Sequence, residues 1–213
     1  MTSSHLFGIT NDSEVVKLEN SKEIAIVSSP QGVGQLAALL GSGRDYGCWL
    51  TYHVQDKPSG IAAALTCVPM SGQAESIAVI LGDNIFLPFP NLITVLNVQS
   101  RCFLHMMPKE QLREFGVPRF DANGIANIIE KPSVPPSDYA VTGLYMFGQD
   151  LPKNLKQLSL GLRGEYEITD LLNGYAKRES LIYAFIDGFW GDAGTPEGLA
   201  RCAAACKKWS ENK

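Results

Sequence analysis

The chain has 213 residues, 45% of them hydrophobic and 19% charged, with a formal net charge of -4 at pH 7. That length and apolar content suit one domain with its own core, over residues 1–213. The acidic balance argues against a nonspecific nucleic-acid binder, which needs a basic face to neutralise phosphates.

Apolar runs that read as strands alternate with helical patterns, the mark of βαβ units stacked on a mostly parallel sheet. Strands are predicted at residues 6–10, 23–28, 49–54, 77–81 and 102–107, with helices at 13–19, 32–40, 60–68 and 90–98. Ser13 is placed to cap the first helix, and Gly41-Ser42-Gly43 closes the second. After Pro108 the pattern shortens to strands at 117–120, 125–129 and 140–147, the first two joined by the hairpin-type turn Asp121-Ala122-Asn123-Gly124. These are expected to form a smaller sheet over the ends of the main strands. A helix at 168–178, a strand at 181–186 and a last helix capped at Thr195-Pro196-Glu197 complete the pattern. The fold expected is therefore α/β, a Rossmann-like, mostly parallel sheet flanked by helices, with a small additional β-sheet covering a cleft.

No apolar stretch reaches the length of a membrane span, and the start of the chain has no basic segment leading into an apolar core, so a cytoplasmic protein is expected. The five cysteines, Cys48, Cys67, Cys102, Cys202 and Cys206, are odd in number and form no C-x-x-C pair, which fits reduced thiols better than disulfides or a zinc site. His5, His53 and His105 have no metal-ligand or triad companion nearby in sequence and read as structural.

Three segments carry the chemistry. Val79-Ile80-Leu81-Gly82-Asp83-Asn84 brings a carboxylate to the end of a buried strand. Ile129-Glu130-Lys131-Pro132 precedes Tyr139-Ala140-Val141-Thr142-Gly143-Leu144-Tyr145, and Phe189-Trp190-Gly191-Asp192-Ala193-Gly194-Thr195-Pro196-Glu197 lies near the end. In this order and spacing they resemble the sugar-1-phosphate nucleotidyltransferases, most closely the glucose-1-phosphate thymidylyltransferases, from about Lys22 to about Ala205.

That resemblance implies roles for particular residues. Asp83 and Asp192 would share one Mg2+ that orients phosphates, each ending a strand at the same sheet edge; the local alternatives are a strand-end turn for Asp83 and a helix entry for Asp192. Gln55 and Gly60 match the base-reading segment and, with Asp83, would contact the nucleotide, although Ser59 and Ala63 stand where the family usually has Asp and Gln. Locally, Gln55 could be an exposed polar strand end and Gly60 a helix-entry turn. Glu130 and Lys131 match the sugar-contacting E-K-P, with Gly116 and Val141 lining the same pocket. A solvated strand end accounts for the former pair, and a core position for Val141, without any ligand. Pro118 removes a backbone donor from a predicted strand, which would place that strand at an edge or alter the pocket. Arg163-Gly164-Glu165-Tyr166-Glu167-Ile168-Thr169-Asp170 matches R-G-E-x-E-I-T-D; Thr169 or Asp170 is expected to cap the following helix, and Glu165 is retained as a sugar-site candidate.

The opening departs from the family. Its members carry a glycine-rich loop, G-G-x-G-T-R, whose Arg and a following Lys serve catalysis. Residues 1–21, MTSSHLFGITNDSEVVKLENS, hold one glycine, Gly8, one lysine, Lys17, and no arginine. No catalytic residue is assigned. The expectation is a thymidylyltransferase-like protein that binds a nucleotide sugar or sugar phosphate with impaired or no catalysis. The alternatives are an active Mg2+-dependent enzyme making an NDP-sugar, or a structural or regulatory partner without ligand; a glycosyltransferase ranks last, since no Asp-x-Asp pair follows the strand at Asp83. Partners implied are the nucleotide sugar or sugar phosphate and a homo-oligomer, with neither nucleic acid nor membrane.

Overall fold

The structure, a computed structural model, describes residues 4–9, 23–70, 76–90, 92, 100–161 and 163–212, with side chains from residue 23 onward. The elements in chain order are β1 (Ser4–Ile9), β2 (Glu23–Ser28), α1 (Pro30–Leu40), β3 (Trp49–Val54), α2 (Ile61–Thr66), β4 (Ser76–Leu81), β5 (Asn84–Leu87), β6 (Ser100–Met106), α3 (Lys109–Leu112), β7 (Gly116–Asp121), β8 (Gly124–Glu130), β9 (Tyr139–Gly148), α4 (Leu151–Leu155), α5 (Ile168–Ala176), β10 (Leu181–Phe185), β11 (Phe189–Asp192) and α6 (Pro196–Glu211).

Among the described residues, seven strands form the main sheet in the order β10-β6-β9-β4-β1-β2-β3. All neighbours are parallel except the two pairs made by β9. β2 and β4 are buried nearly end to end, as continuous apolar runs must be when both faces of a sheet are covered. Their alternate side chains divide into two cores. Val27, Val79, Leu104 and Tyr145 pack on one face, and Ile26, Ile80, Phe103 and Leu144 on the other.

The segment at 140–147, expected in the small sheet, is instead β9 in the interior of the main sheet, between β6 and β4. Its ten residues are almost all buried, so only a position covered on both sides satisfies them. The small sheets are two separate ribbons, β7 with β8 and β5 with β11. The β7–β8 turn forms as expected, with the Asn123 N–H donating to Asp121 Oδ1 at 2.8 Å. Pro118 faces Ile128 across this hairpin, and the Ile128 N–H and C=O are bonded to the Asn173 side chain of α5, at 2.7 and 2.9 Å. At that position β8 directs its backbone away from β7, so the donor that proline lacks is not missed.

Capping follows the sequence at two helices. Ser29 accepts from the Gly32 N–H at 3.1 Å to start α1, and Gly41, at φ 58°, ends it by donating to Ala37 O at 3.0 Å. Thr195 accepts from the Gly198 N–H at 3.0 Å to start α6, with Pro196 in its first turn. α3 and α4, of four and five residues, are too short to leave a periodic signal. The predicted helix at 13–19 lies outside the described residues, as does all but residues 90 and 92 of the one at 90–98. No helix among the described residues is long and apolar enough to cross a membrane.

Candidate functional site

β4 delivers the chain to Gly82 and Asp83, which turn it into β5. β5 then pairs antiparallel with β11, setting Phe86 opposite Trp190 and Asn84 opposite Asp192. The Ala193 N–H donates to Asp83 O at 2.7 Å and extends this pairing by one rung. Asp83 and Asp192 therefore meet, but not by ending strands at one sheet edge as the motifs implied: Asp83 lies in the turn leaving the main sheet, and Asp192 ends a strand of the ribbon. The physical reason is that four ribbon pairs hold β11 against β5 rather than against any strand of the large sheet.

The carboxylates converge on Gly194. A methyl group there would stand 3.0 Å from Asp192 Oδ1 and 3.1 Å from Asp83 Oδ2. The Gly194 N–H donates to Asp192 Oδ1 at 2.7 Å. Burial pushes the Asp192 pKa up; the Gly194 bond opposes this, the Asp83 charge adds to it, and the charges of Arg201 and Lys131 pull it back down. Two anions held at one point are a donor set for a hard divalent cation. Among the described residues no third carboxylate, histidine or cysteine joins them.

Beside this pair opens a cavity of about 160 Å3 whose lining includes Gly116, Glu130, Val141, Thr169, Trp190 and Asp192. Glu130, at the end of β8, accepts from Thr169 Oγ1 at 2.6 Å through Oε2 and meets Arg163 at 3.4 Å through Oε1. Arg163 also grips Glu167 with two bonds, at 2.7 and 2.5 Å, so its pKa rises through the Glu167 bond and the nearby charges of Glu167, Glu130 and Glu165. A side chain at Gly116 would meet Ile128 Cγ2 at 3.1 Å and both the Glu130 and Thr169 oxygens at 3.5 Å, so glycine leaves that pair its space. Tyr145 lies buried in the same wall, its pKa raised by burial and by the charge of Glu130.

Thr169 and Asp170 do not cap α5. The N-cap is Glu167, whose side chain makes no bond to the helix's own N–H groups, and Thr169 has turned its hydroxyl to Glu130 because it is already inside the helix, on the face toward β8. Glu165 does not line the cavity; its carbonyl accepts from the Gly161 N–H at 2.8 Å. Lys131 is exposed at φ 43°, with its N–H bonded to Phe115 O at 3.0 Å.

Gln55 and Gly60 also stand outside the cavity lining, although the adjoining Ile61 belongs to it. Gln55 Nε2 donates to Gly60 O at 3.1 Å. Gly60 adopts φ 99°, and a methyl group there would be 2.5 Å from Tyr166 O. Tyr166 in turn donates to Ser59 O at 2.8 Å and accepts from the Ala62 N–H at 3.2 Å. The backbone that approaches this glycine is thus the loop following Arg163.

Four residues of consequence are given no site role by the sequence-based expectations. Asn84 lies inside the Gly82-Asp83-Asn84 motif and Trp190 two residues before Asp192, but their roles depend on partners about sixty and a hundred positions away, beyond any local pattern. Arg163 and Thr169 sit in the R-G-E-x-E-I-T-D match, where a local reading assigns the threonine to a cap.

The sequence matches the nucleotidyl transferase family over residues 9–208. The chain belongs to that family. Its relatives include the glucose-1-phosphate thymidylyltransferase of Neisseria meningitidis, 34% identical over 198 residues, an alignment covering 89% of this chain and 68% of that protein. The low-salt glycan biosynthesis nucleotidyltransferase of Haloferax volcanii is 32% identical over 195 residues, covering 87% of this chain and 53% of that protein. Among solved structures, one from Bacillus anthracis, assigned as a glucose-1-phosphate thymidylyltransferase and in complex with a sucrose, superposes with a TM-score of 0.80 at 30% identity, covering 96% of this chain and 94% of that one. A UDP-glucose pyrophosphorylase complexed with UDP-glucose shares the fold, with a TM-score of 0.76 at 23% identity, covering 98% and 99%. The mixed α/β sheet flanked by helices is the architecture of these family structures.

Proposed function

We propose that this chain binds a nucleotide sugar or sugar phosphate in the cleft between the Asp83–Asp192 pair and the Glu130–Thr169 pair, and that nucleotidyl transfer by it is impaired. The observation that carries the binding role is the convergence of two carboxylates beside a cavity whose lining includes the Glu130–Thr169 pair. At about 160 Å3 the cavity suits a sugar ring rather than a whole nucleotide, since pockets for larger organic ligands run from about 300 Å3 upward. Glu130 would accept from sugar hydroxyls, with Thr169 fixing which oxygen faces inward. Gly116 and Val141 would form the wall against the ring, and the exposed Lys131 would meet the sugar phosphate. The nucleotide would run outward past Ile61 toward Gln55 and Gly60.

Asp83 and Asp192 would hold Mg2+, which when bound there supplies positive charge to orient and neutralise phosphates. The donor set fits: two hard oxygens face one point, and the proton affinity of Asp192 is raised by its burial and by its neighbour's charge. The impaired-transfer reading rests on residues 10–22, TNDSEVVKLENSK, which join β1 to β2 and contain neither glycine nor arginine. A triphosphate would find no backbone cradle of glycine amides in such a segment, and each lost donor of that kind costs about 3 kcal/mol of transition-state stabilisation. The competing reading, an active enzyme, is favoured by Lys131 and Arg201, whose positive charges both act on Asp192.

Calorimetry with thymidine and uridine diphosphate glucose, with and without Mg2+, tests the binding role. Binding that needs Mg2+ and falls with Asp83→Asn is expected; no binding at millimolar ligand overturns it. Pyrophosphate release from thymidine triphosphate and glucose 1-phosphate tests the impairment. A rate within a hundredfold of the N. meningitidis thymidylyltransferase, a deficit of under about 2.7 kcal/mol, would favour the active enzyme.

A further inference from the structure

Asn84 is 5% exposed, and its side chain is bonded at both ends. Oδ1 accepts from the backbone N–H of Gly143 in β9, at 2.8 Å, and from Trp190 Nε1–H in β11, at 2.7 Å. Both partners can only donate, so the amide oxygen must face them and the amide cannot be turned over without losing two buried bonds. Its Nδ2 is thereby aimed the other way, where it donates to Asp83 Oδ1 at 2.8 Å. With one Asp83 oxygen held, the other, Oδ2, is the one that faces Gly194 beside Asp192.

The surroundings are built for this amide. A side chain on Gly143 would stand 2.6 Å from Asn84 Oδ1, so only glycine lets the oxygen reach that backbone N–H. Trp190 is itself 5% exposed and fixed edge-on between His105 and Phe115, with ring centroids 5.7 and 5.1 Å away. Its indole N–H therefore has one direction to point. The main sheet, through β9, and the ribbon, through β11, converge on one side chain whose remaining hydrogen bond goes to a carboxylate of the candidate cation site.

We propose that Asn84 is the positioning residue of the cation site: a buried amide, locked by Gly143 and Trp190, that fixes the rotation of Asp83 so that its free oxygen faces Asp192. The inference rests on the reading of Asp83 and Asp192 as a cation site and adds to it the device that sets its geometry. An unheld Asp83 carboxylate, facing the like charge of Asp192, would relax by rotating away, so preorganisation has to come from outside the pair. An aspartate at position 84 could still accept from both donors but would present an oxygen to Asp83 where the amide presents a hydrogen.

The test is Mn2+ binding followed by electron paramagnetic resonance of the free ion, with competition by Mg2+, on the full chain. Asn84→Ser and Asn84→Asp are expected to weaken Mn2+ binding about 10- to 100-fold, the usual effect of losing an outer-shell partner. Trp190→Phe, which keeps the ring and removes one of the two locks, should weaken it several-fold. The deciding readout is the same substitution in an Asp83→Asn background. Because Asn84 acts through Asp83, Asn84→Ser there should change affinity less than twofold, whereas general loosening of the fold would lower it equally in both backgrounds. Urea unfolding identifies any variant that does not fold, in which case Trp190→Phe in the two backgrounds carries the comparison. If wild type binds Mn2+ and Asp83→Asn weakens it while the Asn84 and Trp190 variants bind normally, this inference falls and the cation site stands. If wild type takes up no Mn2+ at millimolar concentration, both fall together.

Discussion

The two sides of the cleft solve their hydrogen bonds in opposite ways. On the acidic side, bonds from neighbouring elements aim groups at a shared point: Asn84 holds Asp83, the Gly194 N–H holds Asp192, and Thr169 holds Glu130. Around Gln55 and Gly60 the polar groups are turned on the protein itself, the Gln55 amide to Gly60 O and the Ser59 and Ala62 backbone to Tyr166. The first arrangement leaves charge unsatisfied and oriented, which a ligand or cation can complete. The second leaves little to complete. Recognition by this chain should therefore be governed by the sugar and phosphate end of a ligand more than by its base.

The largest expected effect comes from Gly60→Ala, which tests whether the base side is built as structure. Its φ of 99° with ψ of 166° is a region essentially restricted to glycine, costing a side-chain-bearing residue about 1–3 kcal/mol. The added methyl would also meet Tyr166 O at 2.5 Å, and that carbonyl cannot retreat without releasing the Ala62 N–H. Urea unfolding should show a loss of about 3 kcal/mol. Gly34→Ala, inside α1 with nothing within 4 Å of the new methyl, should instead gain about 0.5–1 kcal/mol. A loss below about 1 kcal/mol at Gly60 would mean that the segment shifts easily and could rearrange onto a base, which breaks the comparison.

The contrast between the two sides also marks what could be read in advance. Strands such as β2 and β4 were legible because burial on both faces demands unbroken apolar runs, and Gly41 and Thr195 bounded helices by local chemistry alone. The 140–147 run was legible as a strand but not as an interior one of the main sheet, since apolar content does not say which sheet a strand joins or in which direction. At the site, Asp83, Glu130 and Asp192 stood in motifs that could be quoted. Asn84 and Thr169 owe their roles to the β5–β11 pairing and to the face α5 turns to β8, contacts between distant segments that no spacing along the chain encodes. The same limit applied to Pro118, whose tolerance depends on Asn173 binding the opposite residue from the far side.

A second, smaller effect should appear at Asp192. Its folded-state pKa lies above the ordinary 3.8 because of burial first and the charge of Asp83 besides. The folded protein thus holds that proton more tightly than the unfolded chain, so the corresponding stability is present below pH 3.8 and is lost as pH rises through the raised folded value. At pH 7 the ionised pair is a cost. Asp192→Asn should therefore raise the urea midpoint at neutral pH and flatten its fall between pH 4 and 7, while millimolar Mg2+ should stabilise wild type and leave the variant unmoved. A variant that is less stable at pH 7 and responds to Mg2+ like wild type would show that the acidic side carries no unsatisfied charge.

The smallest effect is expected at Gln55, where the resemblance to the family would assign base recognition. Its Nε2 already donates one of its two hydrogens to Gly60 O at 3.1 Å, so a thymine or uracil finds only Oε1 and the one remaining N–H unless that internal bond is given up. Exchanging one such bond for another yields little net free energy, because the protein bond lost offsets most of the ligand bond gained. Gln55→Ala should then weaken binding of thymidine diphosphate glucose less than about threefold, and should weaken the uridine and guanosine counterparts by the same factor, since about 0.6 kcal/mol or less is at stake. Calorimetry on all three ligands, with Mg2+ present, measures both the loss and its selectivity. A loss beyond tenfold confined to the thymidine and uridine ligands would mean that the amide leaves Gly60 to read the imide edge of the base. The side that looks self-satisfied would then be the one that reorganises on binding, and the acidic side would be left to set affinity without setting identity.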